Sequence, residues 1–293
     1  MKKISFSEHG GPDVLRLVDA DEPHPGPGQV RVAVRAAGVN PFDWRVREGQ
    51  FPVDLPAGTG LDAAGVVDEV GAGVDGVAVG DRVFGEGIDT CAEFAVLTAW
   101  APIPEGLSFE EAAGYPSVVE TALRVLREVG AEAGQTLLVS GASGGVGSAV
   151  LQIARDRGVR VIGTASAANQ DYLRDLGAVA TTYGDGWAER VRALGPVDAA
   201  LDLAGAGVLA DLVALTGDPS KVITIADRAA SEHGVRFSGA AHDVPAALAT
   251  AVELITRGAL RIPVERSYPL AETAQAHADS QAGHARGRRV VVV

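Results

Sequence analysis

The chain has 293 residues, 47% of them hydrophobic and 22% charged, which fits a globular protein and excludes disorder and fibrous repeats. Its 25 Lys and Arg against 38 Asp and Glu leave a net charge of −13, which argues against nucleic acid or an anionic membrane as a partner, since both need a basic face. A single cysteine excludes an internal disulfide and a thiolate zinc cage, and the chain has neither a signal-peptide core at its start nor a run of about 18 apolar residues, so a soluble cytoplasmic protein is expected.

In chain order, Val30, Val32 and Val34 alternate with Arg31, Ala33 and Arg35, a period of two that predicts a half-buried strand. Short apolar runs at Ala64–Val67, Arg82–Phe84 and Glu93–Leu97, each bounded by glycine-bearing turns, predict further strands and together a small antiparallel barrel. From about Ser117 the pattern changes. Helices are predicted over Glu120–Val129, Ser148–Arg157, Gln170–Leu176, Val208–Leu215 and Val244–Arg257. Between them, Thr136–Ser140, Val159–Gly163, Ala180–Thr182, Val197–Asp202 and Lys221–Ile225 read as strands. Such alternation predicts a doubly wound parallel sheet with helices on both faces. Arg288–Val293 reads as a terminal strand that rejoins the barrel. The expected fold class is therefore α/β, with residues 1–116 and 260–293 forming the barrel domain and residues 117–259 an inserted parallel-sheet domain.

The most informative segment is Leu137–Val150, where an apolar strand enters a glycine-dense turn and a helix follows. Glycine permits the turn and lets a pyrophosphate approach the main chain, and the helix start favours the anion. This points to a dinucleotide site built on Ser143, Gly144, Gly145 and Val146. The G-x-G-x-x-G spacing falls on Ala142, Gly144 and Gly147, so the first glycine is alanine. After the second strand come Thr164, Ala165 and Ser166, and no Asp or Glu appears before Asp171. With no carboxylate to hold a ribose 2′-hydroxyl, and two hydroxyls free to meet a 2′-phosphate, NADPH is favoured over NADH. Ser166 reads equally as a helix cap.

Several phrases then resemble one superfamily, the medium-chain dehydrogenase/reductases, and within it the zeta-crystallin-like, zinc-free quinone oxidoreductase branch. Ala37–Trp44 is similar to its A-G-V-N-P-x-D element, Gly58–Val67 to its G-x-D-x-A-G-x-V element, and Ala142–Gly147 to its A-x-G-G-V-G turn. Gly283-His284 and Gly287 fit the closing G-H-x-x-G-K, with Arg288 for the lysine. The resemblance implies a GroES-like barrel plus a Rossmann domain, NADPH as cofactor, and hydride transfer to a quinone or another conjugated carbonyl.

It also implies that both zinc sites of the related alcohol dehydrogenases are absent. Asn40 stands for a cysteine ligand, Leu61 stands for a histidine, and no structural-zinc lobe fits between Gly87 and Ala92. The six histidines are scattered, and Cys91 reads as a packing residue. Asn40 is the candidate catalytic contact, or else an asparagine that ties the turn before Pro41. Thr121 matches the family threonine near the nicotinamide, and Ile225 and Ala226 match the loop lining its face. Arg45 and Phe51 replace tyrosines of the quinone pocket. Gln170 replaces a phosphate-binding lysine, with Arg286 as a substitute cation. Tyr115 is a weaker proton-donor candidate and otherwise packs.

The expected partner is a small quinone or enone. An enoyl-thioester reductase of polyketide or fatty-acid metabolism, and a non-catalytic NADPH-binding protein, are the alternatives. A homodimer is expected, with Val235–Ser238 as the edge strand of the parallel sheet.

Overall fold

A computed structural model of the chain describes residues 1–239 and 241–293. The chain divides into two compact units. The first comprises Met1–Ser117, Asp243–Arg257 and Ile262–Val293, and the second Val118–His242 and Gly258–Arg261. The helix after Asp243 groups with the barrel, whereas the sequence-based boundary at residue 259 assigns it to the parallel sheet.

The first unit opens with β1 (Lys2–Phe6), β2 (Arg16–Asp19), β3 (Val30–Gly38), α1 (Pro41–Arg47) and β4 (Ala57–Gly58). It continues with β5 (Asp62–Val70), β6 (Arg82–Ile88), β7 (Phe94–Pro102) and α2 (Phe109–Ala113). The connecting helix α3 (Pro116–Val129) then leads into the second unit. There follow β8 (Thr136–Ser140), α4 (Gly145–Asp156), β9 (Arg160–Ala165), α5 (Gln170–Asp175) and β10 (Val179–Thr182). After these come α6 (Trp187–Ala193), β11 (Ala199–Asp202), α7 (Leu209–Thr216), β12 (Val222–Thr224) and β13 (Arg236–Phe237). The chain returns to the first unit with α8 (Val244–Thr256), β14 (Val264–Pro269), α9 (Thr273–Ala282) and β15 (Arg288–Val292).

In the first unit the sheet order is β14-β15-β3-β5-β6-β7, and a further pairing of β3 with β7 closes the sheet on itself. The terminal strand does rejoin the barrel, since β15 runs antiparallel to β3 with Val290 opposite Gly38 and Val292 opposite Ala36. Period-two alternation packs Val30, Val32, Val34, Val67, Val83 and Leu97 into one aliphatic cluster. Each such side chain contributes about 1.5–3 kcal/mol on burial.

In the second unit every pairing is parallel and the order is β10-β9-β8-β11-β12-β13. Every residue of β8, β11 and β12 is buried, as expected for strands covered on both faces. Arg236 and Phe237 form the edge strand. Two helices start earlier than expected, α3 at Pro116 and α4 at Gly145, because proline and glycine are tolerated in a first turn. Among the described residues no helix is long and apolar enough to cross a membrane.

Candidate active site

Numbered by their order in the chain, the six parallel strands lie 3-2-1-4-5-6, and the order reverses between β8 and β11. A crevice at the carboxyl ends of strands at such a reversal is the ligand position in open α/β sheets. The glycine-rich turn lies there, directly after β8. Gly141 has a φ of +80°, open to glycine at little cost. A Cβ on it would lie 3.1 Å from the Ala204 Cβ, so this turn abuts the loop after β11. A Cβ on Gly147 would sit 2.4 Å from the Gly141 oxygen and 2.6 Å from the Ala142 carbonyl, so only glycine lets the helix fold back on the turn. Gly144 is the N-cap of α4 and supplies no side-chain cap, which leaves the helix start to an anion.

The first turn of α4 is braced from behind. The Ser148 hydroxyl donates to the Gly144 oxygen at 2.8 Å, so the Tyr172 hydroxyl at 2.8 Å donates to Ser148. Ser143, Gly144, Gly145 and Val146 therefore occupy the turn and the first helical residues. At the end of β9, Thr164 and Ala165 are buried and Ser166 is half-buried. Ser166 precedes the short turn Ala167–Asn169 and makes no side-chain capping bond to it. Gln170 does not stand in for a lysine. Its amide nitrogen faces the carbonyls of Ala165, Ser166 and Thr181, each at 3.1 Å, and ties the end of β9 to β10.

Sequence reasoning missed two residues of this unit, Asp202 and Thr224. They are register partners at the ends of β11 and β12. The buried Asp202 carboxylate accepts from the Ala204 and Gly205 N–H groups at 3.1 and 3.0 Å and from the Thr224 hydroxyl at 2.8 Å. Thr224 Oγ1 in turn accepts from the N–H groups of Ala226 and Asp227, both at 3.0 Å. This pair shapes the loops after both strands and so fixes Ile225 and Ala226. An aspartate closing an apolar strand just before a glycine-rich loop was the available signal. On α3, Thr121 is half-buried and its hydroxyl accepts from Arg124 Nη2 at 3.3 Å.

The barrel unit holds a second polar cluster. Asn40 lies at the N-cap of α1, and its N–H donates to Asp43 Oδ2 at 2.7 Å. Its side-chain amide donates to Asp62 Oδ2 at 3.0 Å. Asp62 also accepts from Arg288 Nη2 at 3.2 Å, from the Ser117 N–H at 3.0 Å and from the Ser117 hydroxyl. Burial pushes the Asp62 carboxyl up, while Arg288, Ser117 and Asn40 hold it down. Burial drives Asp43 to about 7; the Asn40 N–H opposes the shift and the Asp62 charge adds to it. Asn40 is thus both the residue that ties the turn before Pro41 and part of a buried carboxylate network.

Nearby, Phe42 and Phe51 have ring centroids 4.9 Å apart, and the Arg45 guanidinium lies 5.2 Å over the Trp44 ring. Cys91 is buried with Ile4 and Phe6, and burial pushes its thiol well up. Tyr115 is buried, its hydroxyl accepting from the Ile262 N–H at 3.2 Å. Arg286 is exposed in the barrel unit between α9 and β15, and its backbone N–H donates to Glu265 at 3.2 Å.

The donors do not suit a zinc ion. Asn40 offers only a neutral amide oxygen, its nitrogen donating to Asp62, and Leu61 offers only hydrocarbon. Among the described residues no three His, Cys, Asp or Glu side chains come together as a metal set.

Residues 26–103 match the alcohol dehydrogenase GroES-like domain, and residues 176–291 match the zinc-binding dehydrogenase family. A quinone oxidoreductase of Pseudomonas aeruginosa is 34% identical over 99% of both chains. The chain belongs to the quinone oxidoreductase branch of the medium-chain dehydrogenase/reductases. Several other similar proteins align over only part of their length. The quinone oxidoreductase of Rattus norvegicus is 42% identical over 57% of this chain, which spans about half (53%) of that protein. A stretch covering 52% of the chain is 45% identical to 4% of the pikromycin polyketide synthase component PikAII of Streptomyces venezuelae. A mycobacterial protein solved in complex with NADPH superposes with a TM-score of 0.90 at 32% identity over the whole of both chains.

Proposed function

We propose that the protein is a zinc-independent, NADPH-dependent reductase acting on a quinone or an α,β-unsaturated carbonyl. The observation that carries this reading is the cradle at Gly141–Gly147, where a Cβ on Gly147 would fill the space the helix needs. The NADPH complex of the mycobacterial relative supports the choice of coenzyme. Ser143, Gly144, Gly145 and Val146 hold the pyrophosphate through backbone N–H groups. Thr164, Ala165 and Ser166 receive the adenosine ribose, with Ser166 donating to its 2′-phosphate. Thr121, Ile225 and Ala226 surround the nicotinamide, the backbone of Ile225 and Ala226 being set by Asp202 and Thr224. When bound, the nicotinamide supplies a hydride.

Asn40 supplies a polar contact to the substrate oxygen or the carboxamide. Because the donors around Asn40 and Leu61 do not suit a Lewis acid, a conjugated acceptor, which spreads the incoming charge onto a distant oxygen, is favoured over a simple alcohol. The short alignment with a polyketide synthase keeps an enoyl thioester as the second substrate class. The molecule works as a cytoplasmic homodimer, paired through the edge strand Arg236–Phe237.

Steady-state NADPH oxidation with a panel of quinones, enones and enoyl thioesters tests this reading. Turnover of quinones or enones in zinc-free protein supports it. Turnover of thioesters alone selects the second class, and tight NADPH binding without any turnover would leave a binding protein.

A further inference from the structure

Arg124 has an arrangement that pairing with Glu120 alone does not require. Its Nε lies 3.1 Å from each Glu120 oxygen, Nη1 donates to the Ser238 hydroxyl, and Nη2 donates to Thr121 Oγ1 at 3.3 Å. The Arg124 and Glu120 side chains are only 6% and 5% exposed. Glu120 is held from its other side by the His242 N–H at 3.1 Å. The Ser238 N–H donates to the Thr224 oxygen at 2.9 Å, and Thr224 is the residue that sets Ala226 and Asp227. The guanidinium therefore joins its own helix turn to the segment after β13, and that segment is bonded in turn to the carboxyl end of β12 through the Ser238 N–H. Thr121 is consequently brought to the same edge of the sheet as the loop Ile225–Asp227.

The chemistry of the donor adds direction. A guanidinium donates hydrogen bonds and accepts none. A hydroxyl that accepts from it keeps its own hydrogen for a different acceptor, and the adjacent positive charge strengthens that donation. We propose that Arg124 is a positioning residue that presents the Thr121 hydroxyl as an oriented donor to the carboxamide oxygen of the nicotinamide. This rests on the proposed placement of Thr121 beside the nicotinamide. Lysine cannot replace it, because a compact ammonium cannot serve Glu120, Ser238 and Thr121 together.

Calorimetric titration of NADPH and of 2′-phospho-ADP-ribose, which lacks the nicotinamide, separates the roles. Wild type, Thr121→Val, Arg124→Lys and the double variant are compared. We expect each single variant to lose about five- to tenfold in NADPH affinity, the value of one oriented hydrogen bond, with the fragment unchanged within about twofold and the double variant no worse than either single. Unchanged NADPH affinity in Arg124→Lys, or a parallel loss of the fragment, would overturn the proposal and leave Arg124 a purely structural residue. If Thr121→Val alone leaves NADPH affinity intact, the placement of Thr121 falls, and this inference with it. Binding of neither molecule to wild type would instead remove the coenzyme reading itself. Should Arg124→Lys fail to fold, the paired Glu120→Gln and Arg124→Met change removes both buried charges together and is read by the same ratio.

Discussion

Asp62 and Arg288 form an ion pair at 3.2 Å inside the barrel unit, with side chains 0% and 5% exposed. Two glycines make room for it. A Cβ on Gly38 would lie 2.8 Å from Arg288 Nη2, and one on Gly114 would lie 3.1 Å from its Cγ. A buried charge without its partner is costly, whereas removal of both charges is tolerated. Arg288→Met should therefore destabilise the protein by about 3–5 kcal/mol, and adding Asp62→Asn should recover much of the loss. Urea unfolding of the two variants measures this. A double variant as unstable as the single would show that the charge pairing is not what matters.

Asp43 makes stability depend on pH. Its folded pKa of about 7 lies above the unfolded carboxyl value, so the folded state holds an extra proton between the two. The stabilisation is complete below about pH 4 and is lost as pH rises toward 7. His277 acts in the opposite sense. Burial and then the Arg47 charge push it down to about 3, so its contribution is present above about 6.5 and is lost as pH falls. Asp43→Asn should flatten the decline between about pH 4 and 7, by at most about 4 kcal/mol, and leave the acid limb in place. Denaturant midpoints across that range, compared with wild type, decide it; identical slopes would contradict the assignment.

The glycine turn separates stability from binding. At Gly147 an added methyl meets backbone at 2.4 Å, so Gly147→Ala should cost about 1–3 kcal/mol and weaken coenzyme binding together. At Gly144 the nearest atom is 3.7 Å away and φ is −70°, so Gly144→Ala should leave the melting temperature near wild type. It should still weaken NADPH, because its methyl stands at the helix start where the pyrophosphate is placed. Thermal melts paired with calorimetry test both positions, and unaltered NADPH affinity in Gly144→Ala would move the phosphate elsewhere.

Coenzyme choice is expected to turn on Ser166. Replacing it by aspartate sets a carboxylate where a 2′-phosphate is proposed to lie, and offers the free ribose hydroxyls of NADH an acceptor. Ser166→Asp should lower the NADPH-to-NADH ratio of kcat/KM by about tenfold or more, the size of one unfavourable charge contact. A constant ratio would place the phosphate away from this residue.

The parts of the fold that announce themselves in sequence are those set by near neighbours. Thr136–Ser140 reads as a strand because Gly141 ends it and its residues are uniformly apolar or small. The terminal strand is partly legible for the same reason, since Val290–Val293 is an aliphatic run, but its register on β3 is not. What stays hidden depends on distant pairing. Asp202 and Thr224 meet only because β11 and β12 run parallel in that register. The sequence shows only that Gln170 replaces a lysine; that three carbonyls claim its amide emerges once β10 lies beside β9. Helices such as α1 and α9 escape detection because seven residues opening on proline, and the alanine-rich Thr273–Ala282, carry too little apolar periodicity.

The split edge of β3 has a consequence for biosynthesis. Val30–Ala33 pair with β7, whereas Ala36–Gly38 wait for β15. During translation the ribosome must deliver the whole parallel-sheet unit before Arg288–Val292 emerges. A nascent barrel therefore spends that interval with an open hydrogen-bonding seam beside Asn40, the kind of bare edge on which partly made chains stick to one another.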